Sequence, residues 1–215
     1  MNKFKHVVVE GPLGVGKTTL ATMLSNTFHG KNVFEQVDHN PFLDKFYENP
    51  RAYAFQTQLY FLLERYRQQE EVSQLSLFSQ VAIGDYLFAK DRIFAYVNLS
   101  DEEFALYDKL YGMLSVKIPK PDLVVYLQAE TPVLIQRIRT RSRSYERGIT
   151  EEYLTKLNKA YNDFFFYYRD SSLLVVNTSH IDFVKDGQDY QDLLNQILEM
   201  GPGTKYYVPA AHRTA

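Results

Sequence analysis

Residues 11–18 read G-P-L-G-V-G-K-T, a complete G-x-x-x-x-G-K-[ST] phosphate-binding loop, and the apolar run Val7, Val8, Val9 just before it reads as a buried strand. Gly11, Gly14 and Gly16 let the backbone turn its N–H groups inward around a triphosphate. Pro12, Leu13, Val15 and the following Thr19 share that site, Lys17 reaches the outer phosphates, and Thr18 offers a hydroxyl to Mg²⁺. Thr18 to Phe28 is a predicted helix whose positive N-terminal end faces the same anion. A glycine-containing turn with a surface lysine could show the same eight residues; the strand, loop and helix in this order decide against it.

Outward from the loop, short apolar strands alternate with longer helical patterns. Strands are expected near Lys5 to Val9, Asn32 to Glu35, Val81 to Gly84, Asp122 to Leu127 and Leu173 to Val176. That alternation predicts an α/β fold of the P-loop NTPase type in three layers: a five-stranded parallel sheet, helices on both faces, and an arginine-rich lid. Helix starts are marked by Ser100 with Glu103 as a capping box, by Thr131 before Pro132, and by Thr150. Residues 1–200 are expected to form one domain. The stretch after Met200, G-P-G-T-K-Y-Y-V-P, lacks periodicity and is expected to be a loop or loosely ordered tail over 201–215.

Composition narrows the function. A chain of 215 residues with 45% hydrophobic content can bury one large core. Its net charge of -2 gives no global basic footprint, so nucleic acid is not expected as a partner. The absence of cysteine excludes disulfides and cysteine-ligated zinc, and no apolar signal-peptide core or membrane-length stretch is seen. A cytoplasmic protein is expected. A GTPase would need N-K-x-D, and the nearest string, N-K-A-Y at Asn158, lacks the acid and falls in a predicted helix.

Three further features bear on the chemistry. Glu35 follows the second strand and Asp85 the third, so both carboxylates should emerge on the rim that holds the phosphate loop, where either could take a proton from a hydroxyl or help hold Mg²⁺. Gln58 and Arg65 share one face of the helix expected from about Pro50 to Gln69 and could read one planar ligand. In R-I-R-T-R-S-R-S, from Arg137 to Ser144, Arg137 and Arg141 lie one helical turn apart with Arg143 just beyond, a cluster suited to a mobile lid over phosphates. A basic surface tract or an RNA contact would use the same residues.

The chain resembles the deoxynucleoside kinase family from about Lys3 to Asn177. The resemblance is carried by G-P-L-G-V-G-K-T-T, E-Q-V-D-H-N-P-F-L-D-K-F-Y, F-Q-T-Q-L-Y-F-L-L-E-R-Y, D-Y-L-F-A-K-D-R-I-F-A, P-K-P-D-L-V-V-Y-L and R-I-R-T-R-S-R-S-Y-E-R-G-I. It implies ATP and Mg²⁺ as donor and cofactor, a small-molecule deoxynucleoside as acceptor, and a homodimer. It places Glu35 at the 5′-hydroxyl as base, Tyr47 and Glu146 at the sugar 3′-hydroxyl, and Gln58, Arg65 and Asp91 at the base. Arg137, Arg141 and Arg143 become lid residues. The bacterial purine kinases look nearest, which puts deoxyadenosine first, with deoxyguanosine and deoxycytidine behind it and thymidine very poor. Two departures stand out. Asp85 is followed by Tyr86 where the family carries arginine, leaving Lys90 or Arg92 to compensate, and Asn40 stands where animal relatives carry tryptophan.

Three rivals remain at this level: a nucleoside monophosphate kinase such as thymidylate kinase, a nucleotide-binding regulatory module without turnover, and an RNA-binding protein. For a dimer, aromatic stripes at helical spacing (Phe55, Leu59, Leu62 and Tyr66; Phe104, Tyr107, Leu110, Tyr111 and Leu114) offer surface for a second copy.

Overall fold

Strand alternation places both faces of a sheet in the core, and the computed structural model of the chain, which describes residues 3–35, 39–75, 81–141, 146 and 148–209, is built that way. In chain order the elements are β1 (His6–Glu10), α1 (Lys17–Phe28), β2 (Lys31–Val33), α2 (Leu43–Glu48), α3 (Pro50–Leu75), β3 (Ala82–Gly84) and α4 (Lys90–Asn98). There follow α5 (Asp101–Ser115), β4 (Leu123–Gln128), α6 (Thr131–Arg141), α7 (Glu151–Tyr167), β5 (Ser172–Asn177), α8 (Gly187–Glu199) and β6 (Thr204–Tyr207). The strands pair in the order β2-β3-β1-β4-β5-β6, every pairing parallel.

The sheet has six strands, not five. The sixth comes from T-K-Y-Y, expected as loop, whose residues 204–207 pair with Leu173 to Val176 after α8 returns the chain to the sheet edge. Its alternation of exposed and half-buried residues belongs to an edge strand, too short and polar to announce itself after G-P-G.

Within the central strands the side chains alternate between two cores. Val7, Val9, Val125, Leu127, Leu174 and Val176 face Leu20 and Leu24 of α1, Leu134 of α6 and Leu193 of α8. Val8, Val124, Tyr126, Leu173 and Val175 face Ile93 of α4 and Leu157, Tyr161 and Phe165 of α7. Each such aliphatic residue contributes about 1.5 to 3 kcal/mol of burial free energy, so the sheet is a rigid platform for whatever lies at its rim.

A third cluster joins α3, α4 and α5 through Leu62, Ala95 and Tyr107, with Phe55, Tyr66, Phe104, Leu110, Tyr111 and Leu114 packed against it. The two aromatic stripes therefore serve largely to close these helices on one another. Two expected helix starts hold as read: Ser100 and Glu103 form a reciprocal capping box, and Thr150 accepts from the Tyr153 N–H; the third, α6, begins one residue early, at Thr131 rather than Pro132. No helix among the described residues is long and apolar enough to cross a membrane.

From β1 the chain moves outward to β2 and back to β3, then crosses β1 to β4. The crevice at the carboxyl ends of β1 and β3 is thus the switch point where such sheets place ligands.

Candidate active site

The phosphate loop closes between β1 and α1. At Gly14 the backbone sits at φ +82°, and a Cβ there would stand 2.7 Å from Ile138 Cγ1 and 2.8 Å from the Leu134 carbonyl oxygen, so only glycine fits. Gly16 starts α1 without a side-chain cap, leaving first-turn N–H groups directed at the crevice. The Val15 side chain is buried in the core, and Pro12 contributes its carbonyl: Lys17 Nζ donates to the Gly11 oxygen at 2.8 Å and to the Pro12 oxygen at 3.1 Å. Burial, reinforced by repulsion from Lys90, lowers the Lys17 pKa to about 8.

Beside the loop lies a cleft of about 410 Å³, a size that suits a small organic ligand. Its walls include Leu13, Gly14, Gly16, Lys17, Thr18 and Thr19 on the phosphate side and Glu35, Tyr47, Gln58, Arg65, Arg141 and Glu146 opposite. Asp85, at the end of β3, ties the two sides together. Its Oδ2 accepts from Thr18 Oγ1 at 2.6 Å and its Oδ1 from the Glu35 N–H at 2.9 Å.

Glu35 is held at both carboxylate oxygens, by Arg65 at Oε1 and by Lys90 Nζ at 2.5 Å from Oε2. Burial opposes its ionisation, yet the charges of Arg65 and Lys90 outweigh burial and keep the carboxyl well below the usual carboxylate range. With Glu35 so occupied, the hydroxyl of Thr18 and the carboxylate of Asp85 are the pair that fits Mg²⁺, a hard cation that takes oxygen ligands and keeps phosphate oxygens and waters for the rest. Among the described residues no group of three or more histidines and carboxylates gathers as a metal site of its own.

The ligand-facing end is formed mainly by α3. Gln58 is buried on the cleft wall with its Oε1 lacking a hydrogen-bond partner, and the Arg65 guanidinium packs 4.8 Å from the centroid of Phe61. Asp91, expected to face the base, instead stands behind Arg65. It is 0% exposed, pairs with the guanidinium, and is not part of the cleft wall. A carboxylate buried that deeply needs a cation, and Arg65 is within reach.

The lid arginines part company. Arg141 lines the cleft and donates to Glu146, from Nε at 3.2 Å. Arg137 does not line it: its guanidinium donates to the Thr178 hydroxyl at 3.1 Å and to the carbonyls of Thr178 and Ile181 at 2.8 and 3.2 Å, pinning the loop after β5. Three acceptors in that loop satisfy the fork better than open solvent. Arg143 lies outside the described residues.

Lys90 is 3% exposed and reaches the site, whereas Arg92 turns outward to Asp108 at 2.7 Å. Tyr86, in the arginine position, is buried with its hydroxyl accepting from Gln69 at 3.2 Å. Asn40 is also off the wall, bridging Thr57 O and the Phe42 N–H.

Sequence reasoning passed over Glu10, the last residue of β1. Fully buried, it accepts from the N–H of Gly11 at 2.9 Å and of Leu87 at 2.6 Å and from Tyr161 Oη at 3.2 Å, so it clamps the phosphate loop to the turn after β3. Burial raises its pKa, with Lys90 and Lys17 acting in the opposite sense. The available signal was a lone carboxylate ending an otherwise apolar strand. Phe34, Phe61, Phe94 and Tyr153 also line the cleft and carried no polar signal in the sequence.

A glycine loop opening a helix, a lysine on its outer turn and a carboxylate linked to the loop threonine define a P-loop nucleotide-binding enzyme. Comparison with known proteins narrows this. The chain belongs to the deoxynucleoside kinase family, whose family model, "Deoxynucleoside kinase", matches residues 7–200. It is 37% identical over 205 residues to a deoxyguanosine kinase of Bacillus subtilis (strain 168), covering 93% of this chain and 99% of that one. It is 34% identical over 164 residues to a deoxyadenosine kinase of Dictyostelium discoideum, covering 74% and 66%. Among solved structures, the deoxyadenosine kinase from M. mycoides with bound dATP superposes with a TM-score of 0.78 at 27% identity, covering 89% of this chain and 99% of that one. The protein is a deoxynucleoside kinase, a transferase of nucleotide salvage.

Proposed function

We propose that the chain transfers the terminal phosphoryl group of ATP to the 5′-hydroxyl of a purine deoxynucleoside. The observation that carries this reading is Glu35, a half-buried carboxylate held by two cations on the cleft wall that also presents Lys17 and Thr18. A 5′-hydroxyl seated at Glu35 faces the phosphate loop, and the carboxylate orients it and receives its proton. Lys17 and the first-turn N–H groups of α1 bind the phosphates of ATP, and Thr18 with Asp85 holds Mg²⁺, which when bound neutralises charge on the phosphate oxygens. Positioning and charge do most of the work, with Arg141 and Arg143 closing over the phosphates. Tyr47 and Glu146 take the sugar 3′-hydroxyl.

For the base, Arg65 only donates and Gln58 does both, so the pair suits guanine O6 and N7 as well as the adenine edge. The 37% identity to a deoxyguanosine kinase over nearly the whole chain supports deoxyguanosine as first choice, ahead of the deoxyadenosine that the sequence favoured. Rates with the four deoxynucleosides and their monophosphates at fixed ATP and Mg²⁺ test this. Purine nucleosides should rank first by kcat/KM with thymidine last; product formed only from monophosphates would overturn the acceptor assignment.

A homodimer is part of the proposal. Tyr96 of α4 and Phe166 and Tyr167 of α7 expose 62% to 77% of their surface on two helices that pack together, and a second copy would bury them. Sedimentation at micromolar concentration should give twice the chain mass, and a monomer there would remove this element.

A further inference from the structure

Lys90 has no place in the mechanism so far, yet its position is costly to maintain. The side chain is almost fully withdrawn from solvent at the start of α4, its ammonium group on Glu35 and 5.5 Å from the centroid of Phe94. Burying an ammonium is strongly unfavourable without compensating charge. That charge comes from two carboxylates: Glu35 by direct contact, and Glu10, for which Lys90 is the leading counter-charge.

Lys90 also reaches toward Lys17 and the phosphate side of the cleft. Its charge is the largest like-charge influence on Lys17, so the two ammonium groups share one small region and repel each other. Both line the same cleft as Thr18. An anion entering between them relieves that repulsion, and the anion this cleft is built for is a phosphoryl group. Glu35, meanwhile, holds two cations of unequal freedom. Arg65 is fixed, paired with Asp91 on its other side and packed on Phe61. Lys90 rests on an unbranched, rotatable stem with three donors. It is the cation that can be released.

The neighbouring sequence leaves the task to it. The position after Asp85, where the family resemblance leads one to expect arginine, is the buried phenol Tyr86, and Arg92 is engaged with Asp108 on the outer surface. We propose that Lys90 is a catalytic residue: its ammonium leaves Glu35 as the acceptor hydroxyl binds there and meets the transferring phosphoryl group opposite Lys17. The inference rests on the assignment of Glu35 to the acceptor hydroxyl. In the step it serves, the 5′-oxygen forms its bond to the γ-phosphorus as the bond to the bridging oxygen breaks. The electron pair stays on ADP, the hydroxyl proton passes to Glu35, and Lys90 takes part in no bond change and supplies charge alone.

The test is a kinetic split with a transition-state probe, on the full chain. Lys90→Met should lower kcat by roughly 10² to 10³ while the KM values for ATP and deoxynucleoside change less than about threefold. Binding of ADP with aluminium fluoride and deoxynucleoside should weaken by a similar factor, binding of ADP alone should not, and Lys90→Arg should restore at least about a tenth of the wild-type kcat. A wild-type kcat in Lys90→Met overturns the proposal, as does a loss that falls equally on ADP binding. Should Lys90→Met fail to fold, the wild-type protein decides: the Nζ nitrogen resonance of Lys90 should move on adding ADP, aluminium fluoride and deoxynucleoside together, and an unmoved resonance contradicts the account. Glu35→Gln separates the two claims. If it is inactive while Lys90→Met is fully active, only the lysine inference fails; if Glu35→Gln is fully active, the acceptor assignment fails first.

Discussion

The two walls of the cleft are made in different ways. The donor wall is one continuous stretch of chain, Leu13 to Thr19, that turns through glycines at Gly14 and Gly16 held at φ +82° and +104° and runs into the first turn of α1. The acceptor wall is assembled from side chains on separated segments: Glu35 after β2, Gln58 and Arg65 on α3, Lys90 on α4 and Glu146 beyond α6. Backbone recognition suits a ligand part common to every nucleotide, whereas side chains can be exchanged one at a time to change which nucleoside is taken. The difference also predicts how each wall fails. The donor wall should lose function at a side-chain position such as Lys17 without losing structure, while the buried Arg65–Asp91 pair that backs the acceptor wall should lose both together.

Lys17→Ala gives the largest expected effect on the donor side. Its amine caps only two loop carbonyls, so thermal stability should stay within a few degrees while kcat falls by roughly 10³ to 10⁵. A large loss of melting temperature alongside the loss of rate would erase the contrast between the walls. On the acceptor side, Asp91→Asn removes a fully buried counter-charge of Arg65. Unfolding in denaturant should show a loss of about 3 to 5 kcal/mol, with KM for the deoxynucleoside rising as the guanidinium loses its anchor. Unchanged stability would mean that Glu35 alone suffices to hold Arg65.

A smaller effect comes from pH. Lys17 without nucleotide loses its proton near pH 8, and a triphosphate prefers the charged form, so ATP affinity should be full below that pH and fall at most about tenfold per unit above it. Proton uptake on binding, read by calorimetry in buffers of different ionisation enthalpy, should appear near pH 8 and vanish near pH 6. The sign for stability is opposite: between about 8 and the ordinary 10.5 the unfolded chain holds a proton that folded Lys17 lacks, so this residue favours the folded state increasingly as pH rises through that window.

The same contrast governs what could be read from the sequence. The first five strands and the helix starts at Ser100 and Thr150 were legible because apolar runs and caps are local signals. The edge strand at 204–207 was not, since its pairing partner supplies the order that its composition lacks. Gly11 to Thr18 was legible because its chemistry is contiguous. On the acceptor wall, Glu35 and Asp85 could be placed from strand ends and Gln58 and Arg65 from one helix face. The retreat of Asp91 behind Arg65, the turn of Arg137 toward Thr178 and the burial of Glu10 depend on contacts between residues far apart in sequence, for which spacing carries no information.

The central claim is a division of labour between two carboxylates, Glu35 serving the acceptor hydroxyl and Asp85 serving the metal beside Thr18. Measuring kcat against Mg²⁺ concentration for Glu35→Gln and Asp85→Asn tests it most directly. Glu35→Gln should lower kcat by roughly 10² to 10⁴ with the Mg²⁺ requirement unchanged, and Asp85→Asn should raise the Mg²⁺ needed for half-maximal rate and recover much of its activity at saturating Mg²⁺. A raised Mg²⁺ requirement in Glu35→Gln, with an Mg²⁺-independent loss of kcat in Asp85→Asn, would contradict the account and exchange the two roles.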